Sequence, residues 1–323
     1  MKLTLFPVLL ALLWAGCDES TSKSIKFEGD GGVPIPIRLS ALTPETDVTL
    51  EVLPYDGNFI VDTGAPLNLV DTGHYTFEKG YHKVDATALG LFFPNLPMVF
   101  ENIFDDSLSV YGIIGSELLS SFNWEINYRD NYMVLHTGDL PSDLENGHPV
   151  SFSMLGGGRY RLSDGSTVDV GATRYIVSID VEGMAADSLL DTGASYLVLS
   201  DTFLDSLPDI ERISHGTTQI VTVYGIINAP LIEVQFMAFS DSPEDSKVES
   251  VLTVVVGDDF FDELRLETGR HVKALLGGSY MQYFHMRFNM SQRIFWIDDP
   301  SLGKKRQKPE GVVRWPLSLE PKL

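Results

Sequence analysis

The sequence predicts a mainly β protein in which one pattern of strands is built twice, and two observations carry that prediction. The segments "VTLEVLPYDGNFIVDTGAPLNLVD" (48–71) and "YIVSIDVEGMAADSLLDTGASYLVLS" (175–200) share a layout. Each is an alternating apolar run, a turn containing Gly, a second apolar run and then Asp-Thr-Gly-Ala, which reads as a β-hairpin feeding a tight loop. Downstream, "GIIGSELLSSFNWEINYRDNYMVL" (112–135) and "ALLGGSYMQYFHMRFNMSQRIFWI" (274–297) correspond as well. Aligning Gly115 with Gly277 sets Phe122 on Phe284, Ile126 on Phe288, Asn127 on Asn289 and Leu135 on Ile297 without a gap. Each reads as one short helix followed by a hairpin of alternating apolar positions. An internal repeat of this length sets the architecture: two lobes, each mainly β with one short helix.

Taken in order, the chain opens on "LTLFPVLLALLWAG" after Met1-Lys2. That run is short for a membrane span and sits where a secretory signal has its apolar region, so residues 1–16 read as a signal peptide. Cys17, the single cysteine, follows, and "DESTSKSIK" after it makes 17–30 a flexible tether. Lobe one is placed at 31–145 and lobe two at 146–300, with "LHTGDLPSDLENGHPV" (135–150) as the linker and 301–323 as a tail. The second copy is longer between its Asp and Gly landmarks. The excess is expected around "FSDSPEDSKVES" (239–250), an acidic, Ser-rich exposed loop. "GGG" at 156–158, between "VSFSML" and "RYRLSD", reads as a hairpin turn, because no Lys-Ser or Lys-Thr follows to make a phosphate loop.

Composition narrows the function. The 323 residues are 44% hydrophobic and 21% charged, enough apolar material for two cores. Lys and Arg total 23 against 45 Asp and Glu, a formal charge of -22, which repels phosphate backbones and excludes nucleic acid as a partner. "KKRQK" at 304–308 reads as part of a solvated tail. The seven histidines are scattered and form no His-Glu-x-x-His, so no metal or other cofactor is expected. Neither "IIGSELL" nor "LGGSYMQ" supplies the Gly-x-Ser-x-Gly of a serine hydrolase. What is left is a puzzle. Asp62 and Asp191 each end an apolar run, where a lone carboxylate is costly unless something pairs with it.

Two Asp-Thr-Gly loops, each preceded by an apolar strand and followed by aliphatic-aliphatic-Gly and a short helix, resemble the aspartic peptidases. The details are most similar to the retropepsin-like branch: Ala follows the glycine in both copies, and "GIIGSELLSSF" resembles the helix that closes retroviral-type subunits. Over roughly residues 45 to 300 the chain resembles a fused pair of retropepsin-like lobes. The resemblance implies an all-β, bilobal acid-protease fold, two β-barrel lobes related by a pseudo-two-fold axis and paired within a monomer. It implies an endopeptidase in which Asp62 and Asp191 are catalytic, lie about 3 Å apart and hold one proton between them. Thr63 and Thr192 would lock the lobes in register, and Gly64 and Gly193 would present N–H groups to the carboxylates. Ala65 and Ala194 omit a hydroxyl that pepsin-like loops supply, so the dyad should titrate higher, with an optimum at about pH 5 to 6. Pro66 stands where the second copy has Ser195, which could bond within its loop as proline cannot.

The resemblance also implies a hairpin flap lowered over an extended peptide or protein substrate. "TVYGIINAP" (222–230), with Tyr224-Gly225 at the turn, is the candidate in lobe two, and "ALGLFFPNLPMVF" (88–100) a shortened counterpart in lobe one. Ala15-Gly16-Cys17 resembles the lipobox of bacterial lipoproteins, with Trp14 as a departure. That implies a lipid on Cys17 and a membrane anchor in the cell envelope, facing the periplasm or exterior. The alternative is an inactive, lipid-anchored peptide-binding or assembly module of the same fold. The two intact aspartates favour the peptidase.

Overall fold

The computed structural model describes residues 25–53, 56–73, 77–103, 109–142, 147–222, 225–298 and 313–314. Cys17, the rest of the expected signal and lipidation segment, Tyr224 and nearly all of the tail lie outside the described residues. The fold is mostly β, with 54% strand, 10% helix and four short helices. In chain order the first half comprises β1 (Ile35–Pro36), β2 (Arg38–Ser40), β3 (Thr43–Leu50), β4 (Gly57–Asp62), β5 (Leu69–Asp71), β6 (Gly80–Ala88), β7 (Leu91–Glu101), β8 (Gly112–Gly115), α1 (Ser116–Leu119), β9 (Asn123–Asn127) and β10 (Tyr132–His136). The second half begins with β11 (His148–Leu155), β12 (Gly158–Arg161), β13 (Thr167–Val170), β14 (Arg174–Val181), β15 (Met184–Leu190), β16 (Leu197–Ser200) and α2 (Asp201–Ser206). It continues with β17 (Ile213–Thr222), β18 (Gly225–Phe239), β19 (Val248–Val256), a 3-10 turn (Asp258–Phe261), α3 (Asp262–Thr268), β20 (Val272–Leu276), α4 (Gly278–Met281), β21 (His285–Asn289), β22 (Ile294–Ile297) and β23 (Val313–Arg314).

The duplication read from sequence appears as matching topology. In the first half the order β3-β4-β8-β5-β7-β6 closes into a ring because β6 also pairs with β3. In the second, β14-β15-β20-β16-β19-β18 closes through β14 and β18. Strand senses agree: β4–β8 and β15–β20 are parallel, and β5–β8 and β16–β20 antiparallel. Alternation accounts for the outer strands, as at the end of β3, where Val48 and Leu50 are buried and Asp47 and Thr49 exposed. β5 and β8 are buried on both faces, which suits their continuous apolar runs. Register then gives exact partners across the repeat. Glu45 faces Ile60 and Ile176 faces Leu189, each two residues before its aspartate, so Thr43 and Arg174 occupy equivalent positions.

Between the rings, strands from both halves form one continuous sheet, β1-β10-β9-β21-β22-β11. Its centre is the antiparallel pair β9–β21, where Trp124 faces Phe288 and Ile126 faces Met286. The Trp124 and Phe288 rings stack at 3.9 Å and 9°. All four side chains are fully buried, at about 2–3 kcal/mol each, so the two halves share a core.

Three sequence expectations need correction. "GGG" at 156–158 is not a hairpin turn: β11 pairs with β14 and β22, while β12 pairs only with β13. Gly156 and Gly157, at φ 73° and 100°, turn the chain out of one sheet into another, and a Cβ on Gly156 would lie 2.9 Å from both Arg174 and Glu267. The excess in the second copy is not concentrated in 239–250. Most of it is α2 and β17, inserted between β16 and β18 with no counterpart among the described residues between β5 and β6. The second half also carries more than one helix, because α2 and α3 precede α4.

The β12–β13 hairpin belongs to the second half in sequence but packs on the first. Tyr160, Leu162, Val168 and Val170 cover Ala65, Leu67 and Leu69. The equivalent face of the second half is covered by its own 3-10 turn and α3, through Phe261 and Leu264. Among the described residues, no helix is long and apolar enough to cross a membrane.

Candidate active site

Asp62 is the last residue of β4, and Asp191 follows the last residue of β15. Both strands then turn the same way: Ala65 N–H donates to the Asp62 carbonyl and Ala194 N–H to that of Asp191, at 3.3 Å each. Each turn aims N–H groups at its own carboxylate. Gly64 and Ala65 donate to Asp62 Oδ1 at 2.7 and 3.2 Å, and Gly193 and Ala194 to Asp191 Oδ1 at 2.9 and 3.1 Å. The short helices brace the turns from behind, with Ser116 N–H on Ala65 O and Gly278 N–H on Ala194 O, both at 2.8 Å. This close approach explains the landmark glycines. A Cβ on Gly115 would fall 2.2 Å from Leu67 O, and one on Gly277 2.1 Å from Tyr196 O.

The two loops are cross-linked by their threonines. Thr63 Oγ1 donates to Leu190 O at 2.8 Å and accepts from Thr192 N–H at 3.0 Å. Thr192 Oγ1 donates to Val61 O at 2.7 Å and accepts from Thr63 N–H at 3.0 Å. All four bonds run between the halves, and both threonines are fully buried.

This reciprocal link sets the aspartates face to face. Their carboxyl groups lie close enough for each to act on the other, and a Cβ on Gly193 would lie 2.4 Å from Asp62 Cγ. Asp62 is 2% exposed and Asp191 0%. Asp191 Oδ2 receives no N–H or O–H from the surrounding described residues, so a bond between the carboxyls requires a proton between them. Burial pushes both groups above the usual carboxylate range. For Asp191, repulsion from Asp62 pushes further in the same direction. For Asp62, burial is opposed by the bonds from Asp191, Gly64 and Ala65 and by the charge of Arg174. No hydroxyl comes from Ala65 or Ala194.

Sequence reasoning singled out Asp62, Thr63, Gly64, Asp191, Thr192 and Gly193, and the structure gathers all six. Gly225 opens β18 and pairs with Thr222 at the end of β17, while 223–224 lie outside the described residues. Ile220, Ala229 and Leu231 of the β17–β18 hairpin share an apolar cluster with Tyr196 of the second loop. Among the described residues the hairpin has no lobe-one counterpart: 88–100 runs through β7, and the β6–β7 turn at Leu89–Gly90 lies where β6 pairs back onto β3. Sequence reasoning missed Arg174, Glu267 and Thr43. Their only signal is register, visible once the hairpins are paired. No protein-family model and no curated protein matches the chain.

Proposed function

We propose that the chain is an aspartic-type endopeptidase of bilobal acid-protease fold, in which Asp62 and Asp191 activate a water molecule. The observation that carries this reading is the pair of equivalent loops, cross-bonded through Thr63 and Thr192, that hold two buried carboxyls in mutual contact. Two buried carboxyls in contact do not both ionise, and one shared proton is what hydrolysis by water needs. The ionised partner removes a proton from water as its oxygen attacks the peptide carbonyl carbon. The protonated partner gives its proton to the carbonyl oxygen, leaving a neutral tetrahedral diol. The carboxyl that took the proton from water then gives one to the amide nitrogen while the other carboxylate takes one from a diol hydroxyl, which breaks the C–N bond, releases acid and amine, and restores the singly protonated pair.

Both carboxyls are buried, so a peptide reaches them only after a covering segment moves. This reading assigns that role to the β17–β18 hairpin, with Tyr224 and Gly225 at its tip and the extended peptide or protein substrate paired beneath it. The reading includes a lipid on Cys17 holding a monomer to the cell envelope, and it needs no metal or cofactor. The test is the purified full chain, with and without Asp191→Asn, incubated with a mixed peptide library across about pH 3 to 8. Cleavage lost in the variant supports the peptidase. Absence of Asp191-dependent cleavage throughout that range favours an inactive peptide-binding module.

A further inference from the structure

The repeat is symmetric in its backbone but not in what it aims at the two catalytic loops. Thr43 and Arg174 are the first residues of β3 and β14 and stand at equivalent positions. Each crosses to the other half and bonds the carbonyl of the glycine after the Asp-Thr pair. Thr43 Oγ1 meets Gly193 O at 3.4 Å and Ser195 Oγ at 3.5 Å, two neutral contacts beside Asp191. Arg174 Nη1 donates to Gly64 O, which brings a full positive charge beside Asp62. Pro66, the counterpart of Ser195, offers no donor on this side.

Arg174 is 2% exposed, and a buried guanidinium persists only if its charge is matched. Glu267 on α3 matches it, with Nε to Oε1 and Oε2 at 2.9 and 3.0 Å and Nη2 to Oε2 at 2.8 Å. Tyr160 on β12 and Gly157 N–H donate to Glu267 Oε1 at 2.5 and 3.3 Å. Burial alone would push Glu267 up, but Arg174 and these bonds outweigh it and hold the carboxylate ionised. The fork is thereby split: one side faces Glu267, and the Nη1 end faces the first loop.

We propose that Arg174 breaks the equivalence of the dyad, making Asp62 the ionised carboxylate that takes the proton from water and Asp191 the carboxyl that keeps its proton and passes it to the substrate. The inference rests on the peptidase reading for its chemistry, but not for the order in which the two groups ionise. The ionisable and charged groups facing the pair are Arg174 on the Asp62 side and Tyr128 beneath, whose buried hydroxyl has no partner among the described residues and which senses both aspartates. Arg174 is a cation that acts on Asp62, whereas the charge of Asp62 is the largest influence on Asp191 after burial. Arg174 touches neither water nor peptide in this scheme. It is a positioning residue that acts through Asp62.

The experiment is a pH titration of the full chain carrying 13C-carboxyl aspartate, with Asp62→Asn and Asp191→Asn to assign the signals, alongside kcat/KM against pH. Asp62 should ionise first. In Arg174→Met its titration and the acid edge of the rate profile should both move to higher pH, with a loss on the order of tenfold at that edge. Arg174→Lys should restore most of the position of the edge. Glu267→Gln removes the counter-charge and should move both to lower pH, opposite to Arg174→Met. A merely structural role would lower activity in both variants without moving either midpoint, and that result overturns the inference, as does Asp191 ionising first. Should Arg174→Met not fold, Arg174→Lys and Glu267→Gln decide. If the wild type cleaves nothing, the peptidase reading fails while the carbon titration still reports which carboxyl ionises first.

Discussion

Replacing Thr63 with valine keeps its shape and deletes only the hydroxyl that joins the two halves. The loss strips a partner from Leu190 O and another from Thr192 N–H, both beside fully buried side chains. An unsatisfied buried backbone group costs about 1–3 kcal/mol, so two cost about 2–6 kcal/mol before relaxation. Thr192→Val should cost a similar amount through Val61 O and Thr63 N–H. The four bonds use four different backbone groups, so the single effects should add unless the first loss already separates the loops. Urea unfolding followed by fluorescence measures this, with the midpoint reporting stability and the slope reporting whether the halves still unfold together. Thr63→Ser retains the oxygen and should recover most of the loss. A change below about 0.5 kcal/mol in Thr63→Val, or a serine variant as damaged as the valine, would refute the cross-bonded loops as a main tie between the halves.

Gly193→Ala places a methyl group 2.4 Å from Asp62 Cγ, so the carboxyls must separate by roughly an ångström, and kcat should fall on the order of 100-fold with a much smaller change in KM. Steady-state kinetics on a cleaved library peptide would show it. Glu125 is a residue of β9 in the shared sheet, and His136 and His285 each bond one of its oxygens at 2.7 Å. Burial would raise this carboxyl, but the two histidine bonds outweigh burial and hold it at about 2, below the unfolded value of about 4.3. A depressed folded value means that the stabilisation is complete above about pH 5 and fades as pH falls toward 2. Glu125→Gln should therefore destabilise by about 2 kcal/mol at pH 5.5 and by distinctly less at pH 3, measured by urea unfolding at both.

The hairpins and the Asp-Thr-Gly turns were legible because their determinants are local: alternation of apolar residues, a glycine at the turn, and a second glycine where helix meets loop. Gly115 and Gly277 were useful landmarks for the same reason, since the carbonyls of Leu67 and Tyr196 leave no room for a side chain. What was not legible depends on pairing across long separations. "GGG" looks like a turn between strands, yet Arg174 and Glu267, distant in sequence, decide where that chain goes. β17 was expected as half of a flap, but the lack of its partner in the first half emerges only from strand order. His136 and His285 look scattered in the sequence, and only the pairing of β9 with β10 on one side and β21 on the other sets both against Glu125. Arg174 carried no motif at all, and its role follows from sharing a register position with Thr43.

The asymmetry of the dyad turns most directly on where one hydrogen lies. Neutron diffraction from deuterated crystals of the full chain near pH 5 would locate it. A single deuteron between Asp62 and Asp191, bound to an oxygen of Asp191, is the predicted result. Two bare carboxylates, a deuteron on each, or side chains turned away from one another would contradict it.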